Sequence, residues 1–234
     1  MWPIPRLSSD HVCITFDSHL VTCSWIARNN NRDQPFELKA YQRYPLDHGE
    51  FAQQLFNPTY IKSCITNFLH HHALKNPSIS ASISGNGILE KLISVPMATP
   101  HADDFAMPEL QSMVWDYIYL YPNDTSNFTF YVCGIARPLL FEYQLLSLAA
   151  HLNITMFTTP TTAALTLYTH LHGDTLRRNS LIHHVATSSQ LQEKLFTNDS
   201  IDSLMQIKST VLENKHNEAQ YLYTALGLYV AGVN

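Results

Sequence analysis

Glycine is scarce in this chain: 234 residues contain 7 glycines, none before Gly49, and Gly85 and Gly87 are the only close pair. Loops that cradle phosphate need glycine wherever the backbone approaches the ligand or passes through positive φ. Neither G-x-x-x-x-G-K-S/T nor G-x-G-x-x-G occurs, which excludes both common glycine-rich phosphate loops. Charge is thin as well. Charged residues make up 14% of the chain, against roughly 25% in an average soluble domain, so the surface leans on Ser, Thr, Asn, Gln and His. A net charge of -5 without a block of Lys and Arg argues against generic nucleic-acid binding, which depends on clustered cations.

The four cysteines, Cys13, Cys23, Cys64 and Cys133, are scattered and include no C-x-x-C. Each lies in an apolar segment, so they are expected to be reduced core residues of an intracellular protein. No run reaches the roughly 18 apolar residues of a membrane span, and Met1 to Pro5 is too short and proline-rich for a signal peptide. The expectation is a cytoplasmic chain, with Trp2 packing locally in preference to acting as a membrane hook. Hydrophobic residues at 45% and aromatics at 11% are ample for a sizeable core.

Alternation organises the first third. Val12, Ile14 and Phe16 share one strand face and Val21, Cys23 and Trp25 another, joined through Asp17-Ser18-His19-Leu20 as a tight hairpin. Beyond the polar turn Arg28 to Pro35, Phe36, Leu38 and Ala40 predict a third antiparallel strand. Asn57-Pro58 starts a helix with Ile61, Ile65, Phe68 and Leu69 at helical spacing. Ser78 to Ser84 and Ile88 to Val95 read as a second hairpin about Gly85 and Gly87, stopped by Pro96. A short helix after Thr99-Pro100, strands at Trp115 to Tyr121 and Phe128 to Ile135, a helix from Pro138 to Asn153 and a strand at Ile154 to Thr158 follow. Thr159-Pro160 caps a helix that Gly173 closes. A strand at Ser180 to Thr187 and helices near Gln190 to Phe196, Ile201 to Leu212 and Glu218 to Val230 complete a mixed α/β order.

Several of these segments, taken in order, resemble PilM, the actin-like cytoplasmic protein family of type IV pilus and competence systems. The carriers are Ile14-Thr15-Phe16-Asp17, Ser78 to Pro96 followed by Met97, Tyr131 to Arg137, Phe157 to Leu167, and Ala225-Leu226-Gly227-Leu228. The resemblance implies actin-like, ribonuclease-H-like mixed sheets. It divides the chain into a first lobe at 1–173, with an inserted hairpin–helix module at about 36–121, and a reduced second lobe with the C-terminal helix at 174–234.

Departures from the family pattern shape the functional expectation. Members that bind ATP keep a glycine after the aspartate, a Ser/Thr-rich turn and a lysine in the returning strand. Here His19 stands near the glycine position and the first lysine is Lys39. Asp17 survives as a remnant of a cofactor site. The second phosphate hairpin falls near Ser180 to Ser188, which contains neither Asp nor Gly. The expectation is therefore a pseudo-ATPase with no bound cofactor and no catalytic residues: a cytoplasmic scaffold, peripheral to the inner membrane through its partner. The resemblance implies that it captures the cytoplasmic N-terminal peptide of a bitopic, inner-membrane PilN-like protein and couples it to pilus motor components. It points to the hairpin residues Ile88, Leu92, Ile93 and Val95 for that contact. The competing readings are a nucleotide-dependent actin-like switch and the related cytoplasmic L component of type II secretion.

Thirteen histidines raise a metal reading, through His70-His71-His72, His101 with Asp103 and Asp104, His170 with His172, and His183 with His184. None has ligand spacing such as H-E-x-x-H, and the triple histidine suits the carbonyl end of a helix, so no metal site is expected. No G-x-S-x-G is present. Ser84 beside Gly85 reads as turn chemistry, Cys133 as a strand residue, and Asp103-Asp104 as a solvated helix start.

Overall fold

The computed structural model describes residues 11–46 except 18 and 32, 58–122 except 98, 127–173, 195, 201–212 and 218–233. Three antiparallel strands open it: β1 (His11–Phe16), β2 (Leu20–Arg28) and β3 (Phe36–Pro45). The alternation predicts all three. The turn after β1 is closed by the Asp17 N–H donating to the Leu20 carbonyl at 2.9 Å. Helix α1 (Pro58–His71) follows, and then β4 (Ser78–Ile83) lies parallel to β1, with Thr15 opposite Ser82. Strand β8 (Ile154–Thr158) lies parallel to β4 on its far side.

This order corrects the second hairpin. Strand β4 has β1 on one edge and β8 on the other, so nothing is left for Ile88–Val95 to pair with. The serines of β4 alternate with apolar residues, yet all but the first of its six residues are buried, because the strand is central and covered on both faces. Strand β5 (Ile88–Val95) belongs instead to a second sheet of three antiparallel strands, with β7 (Phe128–Ala136) in the centre and β6 (Met113–Pro122) beyond it. Gly85 and Gly87, at φ +114° and +92°, turn the chain from one sheet to the other. The inserted sheet thus begins at β5, and Phe36–Pro45 is part of the main sheet. Two 3-10 turns, Ala102–Phe105 and Pro108–Ser112, stand where a short helix is predicted.

Helices cover both faces of the main sheet. On one face, Val12, Ile14 and Phe16 pack with Ile61, Ile65 and Phe68 of α1 and with Tyr143 and Leu146 of α2 (Arg137–Ala149). On the other, Cys13, Ile26 and Leu38 pack under α3 (Pro160–His172) and the C-terminal helix α5 (Ala219–Val233). The three-stranded sheet adds Tyr131 and Leu120 to that second core. Its opposite face makes a small aromatic core of Phe105, Phe130 and Val132 with the 3-10 turns.

Helix α3 forms as its caps predict: the Thr159 hydroxyl accepts from the Thr162 N–H, Pro160 sits in the first turn, and Gly173 ends the helix at φ +58°. The predicted helix Ile201 to Leu212 is corrected to one turn, α4 (Ile201–Leu204), followed by the strand β9 (Met205–Ile207), which runs parallel along the free edge of β3. Pairing with an open edge overrides local helix preference there. The order of the six strands is β8-β4-β1-β2-β3-β9. All described residues beyond Gly173 join this sheet or its helical layer. The predicted strand at Ser180 to Thr187 lies outside the described residues, as do Trp2, Asn57 and all of the predicted helix Gln190 to Phe196 except Leu195, which is helical and buried.

Cys13, Cys23 and Cys64 are buried thiols and Cys133 is half-buried. His72 packs its ring on Phe68 and Trp25. The His101 N–H donates to the Asp104 carboxylate at 2.6 Å, as expected of a helix-start cap. No group of three potential metal ligands exists among the described residues, and no helix there is long and apolar enough to cross a membrane.

Helices α3 and α5 meet at Gly227, where an added Cβ would stand 1.9 Å from the Ala163 carbonyl oxygen. On an exposed helix Gly→Ala gains about 1 kcal/mol, whereas overpacking a tight contact costs about 1–3 kcal/mol. A contact this close to backbone puts the cost at the upper end, so Gly227→Ala is expected to lose about 2 kcal/mol of stability net, read as a lower urea midpoint. An unchanged or higher midpoint would show that the helices do not touch there.

Candidate functional site

Strands β1, β4 and β8 are parallel and end together, and the crevice beyond the carboxyl ends of such strands is where open α/β sheets place ligands. Each end is fixed locally. After β4, the Ser84 hydroxyl donates to the Phe16 carbonyl at 2.8 Å, joining the ends of β1 and β4. After β8, Thr159 caps α3. A cleft of about 440 Å³ opens here. Thr15 and Asp17 of the β1 end, Ser84 and Gly85 of the β4 end, and Pro160 and Thr161 of α3 line one part of it. Ile88 and Glu90 of β5 and Gln220, Tyr221 and Thr224 of α5 line the rest.

Two carboxylates define its chemistry. Asp17 accepts a hydrogen bond at 2.9 Å from the phenol of Tyr221; burial and this carboxylate push the Tyr221 phenol up to about 12, so it stays a donor. Glu90 accepts from Tyr131 Oη at 2.6 Å and from Thr161 Oγ1 at 3.2 Å. Tyr131 is fully buried, and burial reinforced by Glu90 holds its phenol protonated. Glu90 thereby lies against the first turn of α3, where the helix dipole favours negative charge.

Helix α5 is set over the cleft by its own network. Glu218, immediately before α5, is buried and accepts from Tyr41 Oη at 2.7 Å and from Arg43 Nη1 at 2.5 Å. The Arg43 guanidinium in turn lies 5.9 Å from the centre of the Tyr221 ring. Sheet strands β1 and β3 are thus both tied to the first turn of α5.

The described residues of the cleft offer few of the donors that a phosphate loop supplies. Among the described residues, no Lys, Arg or His lines the cleft. Pro160 has no N–H, the Thr162 N–H is taken by Thr159, and Thr161 gives its hydroxyl to Glu90. A phosphate at α3 would displace or face the Glu90 carboxylate.

Of the residues expected from sequence, Asp17 and Ile88 come together in the cleft. Leu92 is half-buried against the main core, Ile93 half-buried against the small aromatic core, and Val95 buried within it. Sequence reasoning missed Glu90, Thr161 and Tyr221. Glu90 had a local signal, as the acidic residue interrupting the apolar run of β5. Tyr221 had none, being 204 positions from its partner.

No protein-family model matches the chain, and no curated protein matches it by sequence. Among solved structures it is similar to a chain of a PilM–PilN type IV pilus biogenesis complex, with a TM-score of 0.53 and 14% identity, over 69% of this chain and 50% of that one. This chain thus spans about half the length of that relative. It also matches the cytoplasmic domain of EpsL, an inner-membrane component of the type II secretion system of Vibrio cholerae (TM-score 0.41, 9% identity, 66% of this chain, 57% of that). A Bacteroides thetaiotaomicron protein with an actin-like ATPase fold gives 0.35 and 12% identity over 73% and 61% of the two chains. The fold is the actin-like one, with its mixed sheets.

The Tyr221–Asp17 bond ties α5 to the end of β1. Tyr221→Phe is expected to lower stability by about 1 kcal/mol, the net value of one partly exposed hydrogen bond, measured by urea unfolding. Asp17→Asn, which keeps an acceptor, is expected to lose less; equal stability of wild type and Tyr221→Phe would show the bond to be idle.

Proposed function

We propose that this chain is a non-hydrolysing scaffold of a pilus-type assembly, which holds a short cytoplasmic peptide of an inner-membrane, PilN-like protein and so links the membrane complex to cytoplasmic components. The observation that carries the reading is the likeness of its fold to the PilM–PilN complex chain. The cleft supports the non-hydrolysing half: where triphosphate binding needs lysine and free backbone donors, this chain has Glu90 at α3 and Tyr221 on Asp17.

In this reading the capture surface is the edge of the inserted sheet. Strand β5 pairs with β7 alone among the described residues, and an extended peptide laid along it satisfies its main chain as an added strand. Ile88, Leu92, Ile93 and Val95 fix the position of β5, and alternate side chains of the peptide reach into the groove beside Ile88. The small area involved gives weak to micromolar affinity, raised by confinement to the membrane.

Calorimetry separates the two halves of the proposal. A synthetic N-terminal peptide of the PilN-like protein from the same genome is expected to bind at micromolar concentration, and Mg-ATP to give no saturable heat below about 1 mM. Sub-millimolar Mg-ATP binding, or hydrolysis abolished by Asp17→Ala, would favour the nucleotide-dependent switch. Absence of peptide binding would remove the scaffold reading.

A further inference from the structure

Helix α2 is apolar on both of its faces. Tyr143, Leu146 and Ser147 are buried on the side of the main sheet. On the opposite side Phe141, Leu145 and Leu148 are 58%, 47% and 72% exposed. Spacings of four and three residues put them in one stripe about 10 Å long. The other large hydrophobic side chains left exposed among the described residues, Tyr60, Met97, Val114 and Val233, fall singly on different segments. Single exposed hydrophobics are ordinary, whereas a contiguous apolar stripe marks a contact surface.

The stripe is complementary to itself. Two α2 helices packed antiparallel about a two-fold axis bring Phe141 of one copy opposite Leu148 of the other, with the two Leu145 side chains adjacent at the axis. Every apolar knob then meets an apolar residue, as an isologous contact requires.

Charge agrees with the same register. Glu142 and Ala149 are both exposed and lie on one flank of the stripe, and in an antiparallel pair like flanks face each other. At the Ala149 end of that flank stands Lys62 of α1, whose Nζ donates to the Ala149 carbonyl at 2.7 Å. Matching Phe141 with Leu148 therefore places Glu142 of one copy within about one helical turn of Lys62 of the other, and the symmetry makes this pairing twice. The area sets the strength. The three side chains expose on the order of 350 Å², less than half of the roughly 800 Å² that each partner of a standard stable interface buries, so the association is weak and depends on concentration.

We infer that this chain self-associates through α2, in a two-fold antiparallel pairing of Phe141, Leu145 and Leu148 with the same residues of a second copy, bordered by ion pairs between Glu142 and Lys62. The inference goes beyond the scaffold reading and does not rest on it. Helix α2 covers the face of the main sheet opposite α3 and α5, and the pairing uses neither the cleft nor the edge of β5.

Sedimentation velocity on the full chain between about 5 and 500 µM is expected to show a monomer–dimer equilibrium with a Kd of tens to hundreds of micromolar. Leu145→Glu, which sets two carboxylates together at the axis, is expected to stay monomeric over that range with an unchanged circular dichroism spectrum. If it fails to fold, Leu148→Asp, at the most exposed of the three positions, is expected to do the same. Charge reversal tests the register: Glu142→Lys and Lys62→Glu each oppose like charges and are expected to weaken the homodimer several-fold. An equimolar mixture of those two variants is expected to associate about as well as wild type, since each supplies the charge that the other lacks. A wild-type chain that remains monomeric throughout, its stripe covered by another segment of this chain or by a different protein, would overturn the inference. So would a dimer that persists in a folded Leu145→Glu or Leu148→Asp variant, or a mixture that associates no better than either variant alone. Peptide capture and Mg-ATP binding are read by separate experiments and are untouched by either outcome.

Discussion

The close approach of two helix backbones at Gly227 is the constraint on which the architecture of the cleft depends. With no Cβ there, α5 lies directly on the Ala163 carbonyl of α3. That lets Leu222, Leu226 and Val230 enter the same core as Cys13, Ile26 and Leu38. A second close contact repeats the device further along: an added Cβ on Gly232 would meet Ser80 Oγ at 2.4 Å and the ring of His11. His11 donates or accepts at 2.9 Å with Ser80 and packs edge-on against Tyr229; its burial lowers it to about 4, so the ring is neutral where it supports the helix. Once α5 is seated, its first turn has one place to go, above the ends of β1 and β3.

The cleft is a consequence of that placement. Parallel strands ending side by side leave a crevice, and in this chain the crevice is furnished from distant segments: Asp17 from the first hairpin, Glu90 from the inserted sheet, Thr161 from α3 and Tyr221 from α5. Glu90 lies where the dipole of α3 would otherwise draw an external anion. The chain has placed a carboxylate of its own at that end, and hydroxyl groups serve where amides and a lysine would be needed for phosphate.

Much of the fold was legible because its signals are local. Strands β1 to β3 alternate cleanly, and α3 carries both of its caps, Thr159-Pro160 and Gly173, in the sequence. The errors arose where tertiary context decides. Ser78 to Val95 has the look of a hairpin, yet β4 is claimed by β1 and β8, and the two glycines serve a change of sheet. Met205 to Ile207 fits a helix pattern and forms a strand because β3 presents an open edge. Of the site, Asp17 and Ile88 were legible only through the resemblance of their segments, Ile14 to Asp17 and Ser78 to Pro96, to the PilM family. Tyr221 and Thr15 were not, since a tyrosine in an apolar helix and a threonine in a buried strand gain meaning only from what folds against them.

The central claim is that α5 is an integral layer of the main sheet, holding the cleft in its present form, and native-state hydrogen exchange tests it most directly. If the account is right, the amides of Leu222 to Val230 exchange only through global unfolding, with opening free energies within about 1 kcal/mol of those of Val12 to Phe16. Exchange of α5 through a separate, lower-energy opening that leaves β1 protected would contradict it, and the cleft would then be a surface that forms and dissolves with the helix.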